Sequence, residues 1–353
     1  MPVLNDILSI NVEMPLNDEN SIKERALFLI ETIKPSWDRE FISFKILTGG
    51  ITNRILCATY TPTNITEEKE RLLIRIYGNN TSKIIDRTKE IMNWLFLASH
   101  GCAAEVYARF SNGIISGFIP GNTLTVDNIC DENIVTNTCK SLSKMHKLRP
   151  DTGSETKPVL LFKIRQYLAN FSDKYEDENQ QLQFDNFFKQ NEISFVNDME
   201  RLGEIIDQQQ FRIVFCHNDL LIHNIIHDKK TGSVSFIDFE YADYNYQAFD
   251  IANHFCEYAG VENFDYSRCP DEEYKRIWIT KYLNFFLERN PTEHEINSLL
   301  HGCNVFEAAS HFFWALWALV QSQISTINFD YLAYAIQRYQ LFQKCMLENG
   351  LKY

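Results

Sequence analysis

Short β-type runs at 213–216, 224–227 and 233–238 break into a stretch that is otherwise patterned for helix. Around them, 132–148, 195–209, 247–259, 271–288, 304–325 and 329–347 carry apolar residues at three- and four-residue spacing, the mark of amphipathic helices. The first third reads the other way. Residues 41–47, 54–60 and 72–77 are strand-like, 84–100 is helical, and 106–110 and 114–118 form a hairpin turning at Ser111-Asn112-Gly113. Strands first, then helices with an embedded hairpin, restrict the chain to an α+β architecture. The spacing predicts a small antiparallel-sheet N-terminal lobe over 1–120 and a larger, mainly helical C-terminal lobe over 121–353.

The composition supplies cores for both. Of 353 residues, 45% are apolar and 13% aromatic, which excludes disorder as the main theme. Gly and Pro, at 13 and 9, are too sparse for a turn-dense all-β fold. Asp and Glu outnumber Lys and Arg by 47 to 34, a formal net charge of −13. That excess argues against a general nucleic-acid binder and against a polybasic membrane-surface protein. The first twenty residues lack the basic start and apolar core of a signal peptide. The longest apolar run, 312–320, is far short of the ~20 residues a membrane span needs. The expectation is a cytoplasmic protein with no membrane insertion. Nine cysteines, odd in number and without a CxxC pair, read as reduced and mostly buried thiols rather than disulfides or a zinc site.

The β insertion carries the chemistry. His217-Asn218-Asp219-Leu220-Leu221-Ile222-His223-Asn224 is followed, fourteen residues after Asn224, by Asp238 within Phe236-Ile237-Asp238-Phe239-Glu240. Phosphoryl transfer from ATP needs a carboxylate to take the nucleophile's proton and oxygen ligands for magnesium on the phosphates. Asp219, Asn224 and Asp238 have the order and spacing of a kinase base, a metal Asn and a metal Asp, so the fold expected is the protein-kinase-like two-lobe one. His217 reads as a loop-holding residue; His223 and His227 read as structural or exposed.

Further residues point to a nucleotide. The turn 48–53 joins two strands, and Gly49 and Gly50 would let its backbone, with Thr52 and Asn53, approach phosphates. Alternation along 72–77 places Leu73, Arg75 and Tyr77 on one face and Leu72, Ile74 and Ile76 on the other. A charge within a buried strand needs a partner, and Glu90 on the following helix is the natural one for Arg75. Phe118 and Ile119 end the last strand of the hairpin, where a hinge could lie against adenine.

The run from Asp238 to Glu257, Asp-Phe-Glu-Tyr-Ala-Asp-Tyr-Asn-Tyr-Gln-Ala-Phe-Asp-Ile-Ala-Asn-His-Phe-Cys-Glu, resembles the signature of the choline/ethanolamine kinase family. The likeness reaches back to Gly49–Arg54, Arg75 and Glu90 and forward to Ser310–Trp317. The stretches at 241–249, 259–261 and 312–319 look more like the ethanolamine-directed branch. The resemblance implies ATP-dependent phosphorylation of ethanolamine, feeding phosphatidylethanolamine synthesis through the CDP-ethanolamine route. It implies Asp219 as base, Asn224 and Asp238 as magnesium ligands with Glu240 assisting, and Arg75 at the nucleotide phosphates. Where the family's choline pocket has a Tyr shortly after the Glu257 position, this chain has Gly260-Val261-Glu262.

Trp314 and Trp317, three apart on one helix face, could surround a cation. Asp219 and Glu257 could meet its charge. A primary ammonium donates three hydrogen bonds and a quaternary one none, so carboxylates favour ethanolamine and a closed aromatic box favours choline. Choline or dual specificity is the alternative substrate reading. An aminoglycoside-type phosphotransferase is more distant, and a catalytically dead binding module would have lost Asp219 or Asp238. A protein kinase is disfavoured: Asp-Phe-Glu stands where Asp-Phe-Gly would, no Ala-Pro-Glu follows, and 241–250 runs straight into a helix. The expected partners are ethanolamine and ATP; a homodimer is left open, with no stretch marking its face.

Overall fold

The computed structural model describes residues 7–15, 18–47, 53–62, 69–78, 86–150, 156–260, 264–325 and 327–351. The chain divides into two compact units, Met1–Asn122 with Ser235–Tyr241, and Thr123–Val234 with Ala242–Tyr353. The segment Ser235–Tyr241 returns to the first unit.

The first unit holds β1 (Leu8–Ile10), α1 (Glu19–Ile33), β2 (Ile42–Leu47), β3 (Asn53–Tyr60), β4 (Glu70–Tyr77), α2 (Arg87–Ser99), β5 (Val106–Phe110) and β6 (Gly113–Gly117). Its sheet runs β1-β5-β6-β4-β3-β2 and is antiparallel except where β1 lies parallel to β5 at one edge. Three-residue β1 is too short to show alternation, so it leaves no trace in the sequence pattern. Along β4, Leu72, Ile74 and Ile76 enter one core with Leu29 and Ile30 of α1, Trp37, Leu56, Ala58 and Ile115. Asp18 caps α1 by accepting from the N–H groups of Asn20 and Ser21, and its buried stripe is Ile22, Ala26, Leu29 and Ile30. Arg75 lies on the opposite face, mid-strand, paired with Ile55 of β3 and Ile114 of β6. It is therefore a central-strand residue, not an edge one.

At the division stands β7 (Asn122–Thr123). The second unit holds α3 (Glu132–His146), α4 (Leu160–Asn170), α5 (Glu178–Phe184), α6 (Phe195–Asp207), β8 (Ile213–Cys216) and β9 (Ile225–His227). After β10 (Val234–Phe236), at which the chain crosses to the first unit, come β11 (Asp243–Tyr246), α7 (Gln247–Cys256), α8 (Glu272–Leu287), α9 (Glu293–Ile324) and α10 (Tyr331–Glu348).

Helix α9 is the axis of this unit; α4, α7, α8 and α10 all pack on it. Every residue from Val305 to Leu316 is buried, the pattern of a helix enclosed on all sides. It begins well before the expected 304 because Thr292 and Glu295 form a capping box. The reading of 241–250 as running straight into a helix is also corrected. Asp243–Tyr246 is a strand, antiparallel to β8 with Asp243 opposite Cys216 and Tyr246 opposite Ile213. Among the described residues, no helix is long and apolar enough to cross a membrane.

Candidate active site

The loop after β8 is held from below by one buried carboxylate. Asp250 of α7 accepts from the backbone N–H of Asn218 at 2.7 Å and of His217 at 2.8 Å. Its Oδ2 also meets His146 Nε2 of α3 at 2.9 Å, and His146 Nδ1 meets the Tyr282 hydroxyl at 2.7 Å. Burial pushes the Asp250 carboxyl up, but His146 and the His217 N–H outweigh it and hold it below the ordinary range. Asn218 adopts a left-handed φ of 65°, which Asn tolerates better than most residues. Its side-chain oxygen accepts from Asn245 Nδ2 of β11 at 2.8 Å. His217 Nδ1 accepts from the N–H of Asp219 at 3.3 Å, a loop-holding contact. Asn224 Nδ2 donates to the Asp219 carbonyl at 2.8 Å and to its Oδ2 at 3.2 Å. Asp219 and Asn224 are thus brought together in the second unit, on a loop with few ways to shift.

The first unit gathers a separate charged cluster. Arg75, almost wholly buried, places Nη1 3.2 Å from Glu90 and Nη2 2.9 Å from Asp238 and 3.3 Å from Glu240. Burial disfavours the guanidinium cation, yet the Asp238, Glu90 and Glu240 carboxylates more than offset it. Arg87 bridges Glu90 at 2.7 Å and Glu240 at 3.3 Å, and lies 4.3 Å from the Tyr77 ring centroid. Burial and the Asp238 charge push the Glu240 carboxyl up to about 8. Asp238, like Asn218, has a left-handed φ, here 66°. Such a backbone costs about 1–3 kcal/mol and persists where the surroundings impose it. Glu90, Asp238 and Glu240 each bring one oxygen within 4.8 Å of the others, a hard-donor set suited to magnesium. Phe118 and Ile119 follow β6 half-buried, with Arg71 4.9 Å from the Phe118 ring centroid. Gly49, Gly50 and Thr52 lie outside the described residues, as does the side chain of Asn53.

In the second unit, Trp314 and Trp317 do share a face, edge to face at 5.4 Å. Their roles diverge. Trp314 is buried and donates its indole N–H to Asn253 Oδ1 at 2.7 Å. Trp317 is half-buried, edge-on to Tyr331 at 5.8 Å. Glu257 follows α7 and is buried, with Oε1 3.1 Å from Arg338 of α10. Burial pushes the Tyr334 hydroxyl up, the Arg338 cation opposes this, and the Glu257 and Asp219 charges add to it.

A family model for choline/ethanolamine kinase matches residues 44–343. The chain belongs to that family. It is 36% identical over 344 residues to ethanolamine kinase 1 of Homo sapiens, covering 96% of this chain and 75% of that one. Ethanolamine kinase 2 of Rattus norvegicus is 38% identical over 331 residues, covering 93% and 82%. Among solved structures, an ethanolamine kinase of Plasmodium vivax superposes with a TM-score of 0.78 at 24% identity, covering 94% and 91%. The protein-kinase-like fold, small sheet lobe and larger helical lobe, is shared with it.

Set within the choline/ethanolamine kinase family, the reading from sequence named the loop residues but not what supports them. Arg87 was overlooked although its i,i+3 spacing to Glu90 is a readable ion-pair signal. Asp250 and Asn253 lie inside the quoted signature without a role assigned. Arg338 carried no local signal, because its burial depends on how α10 packs against α9.

Proposed function

We propose that this chain transfers the γ-phosphoryl group of ATP to the hydroxyl of ethanolamine. The supporting observation is that the Asn224 amide holds the Asp219 carboxylate at 3.2 Å, in the same unit as Glu257 and the Trp314–Trp317 pair. That unit therefore carries both a proton acceptor and a second carboxylate, as an amino alcohol with a hydroxyl at one end and an ammonium at the other requires. Asp219 accepts the hydroxyl proton as the oxygen attacks phosphorus, and the Asn224 amide keeps its carboxylate oriented. Asp250 keeps the loop backbone from drifting. Glu257 accepts hydrogen bonds from the ammonium, while Trp317, and Trp314 behind it, present ring faces to the charge. Arg75 binds nucleotide phosphates, and Glu90 restrains it. Phe118 and Ile119 border the adenine. Asn224, Asp238 and Glu240 would hold magnesium, whose charge offsets that of the phosphates. The product would enter phosphatidylethanolamine synthesis through the CDP-ethanolamine route, in the cytoplasm.

The named relatives on the ethanolamine side support the substrate. The edge-to-face indole pair favours a second reading, choline, whose quaternary charge needs ring faces rather than acceptors. Paired initial rates on the two alcohols decide. A higher kcat/KM for ethanolamine is expected; equal or better turnover of choline would reject the assignment.

A further inference from the structure

Arg338 enters the same neighbourhood from α10 and is fully buried. Nη1 donates to Glu257 Oε1 at 3.1 Å and to the Tyr334 hydroxyl at 3.3 Å, and Nη2 donates to Ser310 Oγ at 3.3 Å. The Ser310 hydroxyl in turn donates at 2.8 Å to Asn253 Oδ1, the oxygen that receives the Trp314 indole N–H at 2.7 Å. The guanidinium carbon stands 5.7 Å from the Tyr334 ring centroid and 6.0 Å from that of Phe264. One fixed cation therefore ties the turn after α7, the middle of α9 and α10 to a single point.

Resting on the ethanolamine reading above, we infer that Arg338 is a positioning residue of the amine site, a resident cation that holds the Glu257 carboxylate in place and, through Ser310 and Asn253, seats Trp314. The physical reason is direct. A buried carboxylate without a cation takes a proton, and a protonated one is a poor acceptor for an ammonium. Arginine suits the task because it does not give up its charge and its planar fork reaches several acceptors at once. Glu257 therefore offers the substrate a carboxylate already half-satisfied, which aims the amine without trapping it.

The groups bearing on Glu257 and Arg338 are Tyr334 on α10, Cys256 on α7, Cys269 beyond it and His311 on α9. Lys275 of α8 and Glu307 of α9 pair with each other beside them. Burial pushes the thiols and the phenol up and His311 down, away from neutral pH. Burial also pushes Glu307 up, but that group is common to wild type and variants.

The test compares wild type, Arg338→Gln, Arg338→Lys, Glu257→Gln and the double variant E257Q/R338Q, with ethanolamine and ATP varied separately between about pH 6 and 9. Wild type must first phosphorylate ethanolamine. Inactivity on it overturns the substrate reading, and the comparison is then made with whichever amino alcohol is turned over. At neutral pH, Arg338→Gln should raise the KM for the amine about 10- to 100-fold and leave that for ATP unchanged. The loss should shrink as pH rises, a trend absent from wild type. Arg338→Lys should show a smaller rise and no such trend, and the double variant should be no worse than Glu257→Gln. A pH profile parallel to wild type, equal losses for both substrates, or additive losses in the double variant would each overturn the inference. If Arg338→Gln does not fold, Arg338→Lys and the double variant, which leaves no lone buried charge, decide it.

Discussion

Asp219 and Asp250 are both carboxylates of the second unit, yet their surroundings assign them opposite tasks. Asp250 has its oxygens filled by two backbone N–H groups and His146. Asp219 has one oxygen against the Asn224 amide at 3.2 Å, which orients it. Asp219→Asn keeps the size and removes the basicity. It should lower kcat by roughly 10²–10⁴ with the KM for ATP little changed, because an amide of the same size can still accept from the Asn224 side chain. Steady-state kinetics checks this; near-wild-type turnover would take the base assignment away from Asp219. At this scale the spacing of Asp219 and Asn224 is legible in the sequence, and the loop brings the two into hydrogen-bond contact. The sequence is silent where a role depends on burial. Nothing around Arg338 marks it as enclosed, and nothing about Trp314 says that its indole N–H is taken by Asn253.

Helix α7 supports the loop through one residue. In Asp250→Asn an amide N–H₂ must face one of three donors, so at least one buried hydrogen bond is lost, a loss of about 3 kcal/mol read as a lower Tm. The sign of its pH dependence follows. The Asp250 carboxyl is held below its ordinary 3.8 in the folded protein, so its contribution is complete above that value and fades as pH falls through the folded-state pKa. Denaturant titrations should therefore show the stability gap between wild type and Asp250→Asn narrowing below about pH 4; a gap independent of pH would mean that charge is not what Asp250 supplies. Elements were legible to the degree that they carry their own pattern. The strands 42–47, 53–60 and 70–77 and the hairpin of β5 and β6 fall where alternation puts them. Helix α1 carries readable signals, Asp18 as cap and an i, i+4, i+7, i+8 stripe. Strands β1 and β11 are defined by pairing with distant partners, Leu8 with Ala108 and Asp243 with Cys216, and no local pattern announces such pairs.

For the molecule as a whole, a net charge of −13 sets what it will not hold. At physiological salt it should remain in the supernatant when spun with vesicles rich in anionic lipid, since no excess of basic side chains repays the repulsion. Co-sedimentation would reveal a local basic surface that the total conceals. The return of Ser235–Tyr241 to the first unit has a consequence of another kind. A gene fragment ending near residue 122 would encode the sheet and both of its helices while omitting Asp238 and Glu240. Arg75, buried, and Arg87, half-buried, would then lose two of the carboxylates that offset their charge. The halves of this protein are therefore not exchangeable modules. Recombination or truncation at the obvious seam should yield insoluble product, and a viable swap must carry Ser235–Tyr241 together with the sheet it serves.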